Sequence, residues 1–109
     1  MKQTRIAVAL NSMYDLNDPV KKIRYQVALR TISKLQSLDQ DISIFIVDRS
    51  NTPDIRNELE LLGLGGITSI GIEESGGKQK LDAVQMCYDS GADVVILMEP
   101  EKDDLVKSI

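Results

Sequence analysis

Four short apolar runs punctuate the chain: IAVAL at 6–10, ISIFIV at 42–47, ITSIGI at 67–72 and DVVILM at 93–98. They are near-uniform rather than alternating and rich in Val and Ile, which suits strands buried on both faces, as in a parallel sheet. The stretches between them have helical spacing. Asp18-Pro19 offers a capping side chain and a proline at the first helical position. Val20, Ile23, Val27, Leu35 and Leu38 then recur at helical intervals and are expected to form the buried stripe. Thr52-Pro53 repeats the start signal, with Ile55, Leu59 and Leu62 as its stripe and Gly63 as a left-handed stop. A third helix is expected over 78–90, with Leu81, Val84 and Tyr88 turned inward and Gly91 closing it. EKDDLVKSI at the end opens a further helix that has no stop signal. Strand and helix therefore alternate. The expected fold is α/β: a parallel sheet of about four strands with helices on both faces, joined by right-handed crossovers.

At 109 residues the chain is expected to form one domain, 1–109. Its small sheet and unfinished last helix suggest part of a longer one. A hydrophobic share of 42% is enough for a core and argues against disorder. The formal charge of -4 argues against nucleic acid as a partner, since such sites need clustered Lys and Arg. No apolar stretch approaches the roughly 18 residues of a transmembrane span, and no signal peptide is read at the amino terminus. Cys87 is the sole cysteine, so no internal disulfide forms, which fits a reducing compartment and a cytoplasmic location. Histidine is absent, which excludes Ser-His-Asp and Cys-His nucleophiles and His-ligated zinc within this chain. A metal would need carboxylates and backbone oxygens, favouring Mg²⁺ or Mn²⁺. Cys87, on a helix that packs on the sheet, reads as a buried small apolar group.

Ligands of open parallel sheets collect at the carboxyl ends of the strands. Those ends carry Asn11-Ser12, Asp48-Arg49, Glu73-Glu74 and Glu99-Pro100-Glu101. So many acids on one rim call for compensation, which a divalent metal carrying a phosphate would supply; each acid taken singly also suits an ordinary solvated loop. EESGGKQK at 73–80 joins two glycines to a helix start beside Lys78 and Lys80. It suits an anion site or a plain turn, and it matches neither the P-loop nor the dinucleotide fingerprint. Glu99 and Glu101 flank Pro100 and can turn toward one hard cation, or can simply be the acidic first turn of a helix, to which Asp103 and Asp104 belong. Tyr14, in the loop after the first strand, is the better candidate for stacking on a base; Tyr25, within a helix, reads as packing.

Taken in order, these stretches resemble the amino-terminal half of a family 2 type glycosyltransferase with the GT-A fold. The resemblance spans nearly the whole chain. IAVALNSMYD is similar to the first family strand and its loop, with Asn11 where a proline is usual. IFIVDRSNTPDIRNEL is similar to the strand that runs into paired aspartates, with Asp48 as the first acid and Arg49 in place of the second. GGKQKLDAVQMCYDSGADVVILMEPE resembles the run from a Gly-Lys turn to Asp-x-Asp, with Glu-Pro-Glu standing there. The resemblance implies a Rossmann-like domain that binds a nucleotide diphospho-sugar, such as a UDP-sugar. Asp48 would accept a hydrogen bond from the base, beside Arg49, and the loop with Asn11, Ser12 and Tyr14 would line its other side. Glu99 would approach the ribose and, with Glu101, hold the metal that bridges the diphosphate; Lys78 would lie at the sugar-phosphate end. The family's catalytic base comes from the second half, so no catalytic residue is expected here.

The alternative is a non-catalytic α/β module working through protein contacts or small-ligand binding. A phosphoacceptor receiver domain is disfavoured, because it needs clustered acids after the first strand where Leu10-Asn11-Ser12 stands. Either way one sheet edge is left unpaired, and self-association is expected.

Overall fold

The computed structural model describes residues 3–101. Seven elements alternate: β1 (Arg5–Ser12), α1 (Pro19–Gln36), β2 (Asp41–Asp48), α2 (Pro53–Glu60), β3 (Gly66–Ser69), α3 (Gly76–Asp89) and β4 (Val94–Leu97). The strands form one sheet in the order β3-β2-β1-β4, and every pair is parallel. This is a small Rossmann-like α/β domain. The helix expected from EKDDLVKSI, with Asp103 and Asp104 in its first turn, lies outside the described residues.

The start and stop signals act as their chemistry requires. The Asp18 carboxylate accepts from the backbone N–H of Val20 at 3.0 Å, and Pro19 opens α1. Thr52 and Ser75 cap α2 and α3 in the same way. Gly63 and Gly91 adopt φ of +70° and +78°, the left-handed geometry that carries the chain away from a finished helix.

Strand direction sorts the core into two layers. Val8, Leu10, Ile44 and Ile46 face α1 and α2, where Tyr25, Ile32, Leu35, Ile55 and Leu59 meet them. Ala7, Ala9, Phe45 and Val47 face α3, where Ala83 and Cys87 pack. β1, β2 and β3 step one way across the sheet and β4 returns on the far side of β1. Right-handed crossovers therefore place α3 on the opposite face from α1 and α2.

Two expected stripes hold only in part: Leu35 is buried and Leu38 and Val84 pack against the core, but other positions differ. On α1 the buried set is Tyr25, Ala28, Thr31, Ile32 and Leu35, and Val20 and Ile23 are exposed. On α3 it is Gln79, Ala83 and Cys87, with Leu81 at 72% and Tyr88 at 74% exposure. α3 turns small or polar residues to the sheet, and α1 sets Ala28 and Thr31 among its larger buried groups; a count weighted by side-chain hydrophobicity passes over these positions. β3 is also shorter than expected, ending at Ser69. Its partner β2 ends at Asp48, level with Ser69, so Ile70 and Ile72 have no strand beside them.

Candidate functional site

Asp48 is the best-built polar group on the carboxyl rim. The register sets Ser12 directly beside it. Its Oδ1 accepts from the Ser12 hydroxyl at 2.6 Å, the Ser50 hydroxyl at 2.7 Å and the Ser50 N–H at 3.3 Å. The residue is only 2% exposed. Its Oδ2 takes no hydrogen bond among the described residues, while Asp48 borders a cleft of about 350 Å³ with residues 50–53, Arg56 and Ser69. Three donors thus lock one oxygen, and the carboxylate can offer the other to a ligand N–H or O–H.

Tyr14 ties the two halves of the rim together. Its N–H donates to the Ser50 hydroxyl at 2.8 Å and its O–H to Glu101 Oε1 at 3.1 Å. Asp48 and Glu101 thus share one rim. Burial, and then the Glu101 carboxylate, push the Tyr14 phenol far above its usual range, so it remains a donor. The expectation that Tyr14 stacks on a base is corrected. The side chain is 3% exposed and packs on Tyr25, with ring centroids 5.3 Å apart and planes at 46°. Ser12 is likewise buried, its hydroxyl spent on Asp48.

A second cleft, of about 480 Å³, lies at the β1/β4 boundary, where the strand order reverses. Asn11, Arg24, Lys80, Glu99 and Glu101 line it. Asn11 Oδ1 is buried there with no partner among the described residues. The acids expected to hold a divalent ion are Glu99 and Glu101. No group of three potential ligands occurs among the described residues, one Glu101 oxygen is engaged by Tyr14, and two basic side chains share the cleft. Among the described residues, the two basic side chains offset the two carboxylates, which weakens the pull of this donor set on a divalent ion.

Lys78 pairs with Asp82 at 2.8 Å along α3 and borders neither cleft; Lys80 stands in the second one. Arg49 does not pair with Asp48. Its Nη1 donates to the Glu74 carbonyl, which ties the loop before α3 to the end of β2. Gln79 completes the rim from within: its Nε2 donates to the carbonyls of Ser12 and Val47, each at 2.7 Å. Arg24, Arg56, Gln79 and Lys80 carry no sequence motif for these places. For Lys80 the charge beside the glycine pair was a visible signal; for the other three the fold alone brings them to the rim.

No family model, no curated protein and no solved structure matches this chain.

Proposed function

We propose that the domain binds a nucleotide diphospho-sugar donor, a UDP-sugar in the leading form, across the carboxyl rim. Asp48 receives the base, and the phosphate and sugar extend toward the cleft at the strand reversal. The observation that carries this reading is Asp48 itself: a buried carboxylate with one oxygen held by three donors and the other without a donor among the described residues, at the edge of a cleft. A fixed acceptor of this kind selects a ring N–H, which uracil has, over the ring acceptor that cytosine presents at the same position. The role is donor binding. Sugar transfer, in this reading, takes its base from outside residues 3–101.

Calorimetric titration with UDP and CDP tests it. UDP is expected to bind and CDP to bind far more weakly. Asp48→Asn keeps the acceptor that Ser12 and Ser50 need and turns the other position into a donor. It is expected to cost UDP about 10- to 100-fold in affinity with an unchanged circular dichroism spectrum. Absence of heat with UDP would end the proposal.

A second reading, a non-catalytic interaction module, draws on a different observation. Among the described residues β4 is an edge strand without a charge, with Val94 at 43% and Leu97 at 49% exposure. Such an edge is a template for another chain.

A further inference from the structure

The second cleft contains more than the resemblance implies. Arg24 comes from the early part of α1 and Lys80 from the start of α3, which lie on opposite faces of the sheet, yet both line the cleft at the β1/β4 boundary. Neither forms an ion pair or hydrogen bond among the described residues. Lys78, by contrast, is neutralised by Asp82 and Arg56 by Glu60. Two unpartnered cations from separate elements therefore meet where the strand order reverses, the place at which open α/β sheets take the phosphates of their ligands. The four charged groups that line the cleft among the described residues sum to zero, whereas a cleft built for a divalent ion is net negative before the ion enters.

We propose that this cleft holds the diphosphate of the donor directly on Arg24 and Lys80, without a divalent cation. The assignment rests on the donor-binding reading above and departs from it in the cofactor. Arg24 offers a planar fork that matches two phosphate oxygens, and Lys80 a point charge that can follow the other phosphate. Glu99 and Glu101 then have a different task, accepting hydrogen bonds from the ribose or sugar hydroxyls. Glu101 is suited to it, because the Tyr14 O–H fixes one of its oxygens and leaves the other.

The test is titration of the full chain with UDP and with uridine, each in a chelator and in Mn²⁺, for the unaltered chain and for Arg24→Ala, Lys80→Ala and Glu101→Gln. Arg24 and Lys80 are exposed, so the fold is expected to survive, as circular dichroism would report. The expected result is that UDP binds equally well in chelator and in Mn²⁺. Arg24→Ala and Lys80→Ala each weaken UDP by about tenfold and leave uridine unchanged. Glu101→Gln, which acts on the ribose and not on the phosphates, weakens UDP and uridine by the same factor in chelator. If UDP binds only in Mn²⁺, or if both basic variants bind it as well as the unaltered chain, the metal-free assignment falls and donor binding stands. If neither UDP nor uridine gives heat in either buffer, the donor-binding reading falls with it.

Discussion

Gln79 closes the carboxyl rim from beneath. It is almost fully buried, and one amide nitrogen serves two strand carbonyls, one on β1 and one on β2. The Ser12 carbonyl also accepts from the Arg49 N–H at 2.8 Å, so what Gln79 supplies is two hydrogen bonds, each contributing about 0.5–1.5 kcal/mol. Gln79→Leu keeps the volume and removes the donor, so it is expected to destabilise the fold by about 1–3 kcal/mol, read as a lower urea midpoint. Cys87 gives a second residue-level expectation. Burial pushes its thiol up to about 11 from an ordinary 9.0. The native state thus keeps a proton that the unfolded chain has already lost between those values. This contribution to stability is whole below pH 9.0 and declines as pH rises toward about 11. Cys87→Ala should flatten that decline in urea midpoints measured across the same interval.

The helices differ in how they meet the sheet. α3 approaches through small side chains, Ala83 and Cys87 against Ala7 and Ala9, and Phe45 fills the space to one side. α1 and α2 stand on bulkier groups, with Ile32, Leu35, Ile55 and Leu59 above Leu10, Ile44 and Ile46. The close approach of α3 brings Gln79 within reach of the strand ends and sets Lys80 into the cleft. A larger residue in that layer must push the helix away. Ala83→Leu is expected to cost about 1–3 kcal/mol by overpacking. Leu81→Gln, on the solvent side of the same helix, should change stability by no more than about 0.5 kcal/mol. Thermal unfolding of the pair tests which face of α3 is buried; equal effects would contradict the arrangement.

Among the described residues the domain is a four-stranded sheet whose outer strands are β3 and β4, each with one edge unpaired. β4 is the more exposed to misuse: all four of its residues are apolar, and nearby α3 leaves Leu81 and Tyr88 in solvent. Edge strands of lasting monomers carry charges or prolines that block pairing, and this one has neither. The chain is therefore expected to self-associate with rising concentration, and Val94→Lys should reduce that association in sedimentation velocity runs while leaving UDP binding unchanged. No helix among the described residues is long and apolar enough to cross a membrane.

Local chemistry was enough for the order of elements, their parallel pairing and the helix starts and glycine stops, though not for the end of β3. Uniform apolar runs, Asp18-Pro19, Thr52-Pro53, Gly63 and Gly91 each act within a few residues, so each is readable before folding. Asp48 was readable too, because it follows directly on the apolar run Ile44-Phe45-Ile46-Val47. The faces of α1 and α3, the enclosure of Tyr14 and the place of Arg24 beside Lys80 were not. Each depends on how closely a helix approaches the sheet and which side of β1 receives β4. Those are contacts between residues far apart in sequence, and they override a hydrophobic period that Val20, Ile23, Leu81 and Tyr88 satisfy equally well while facing water.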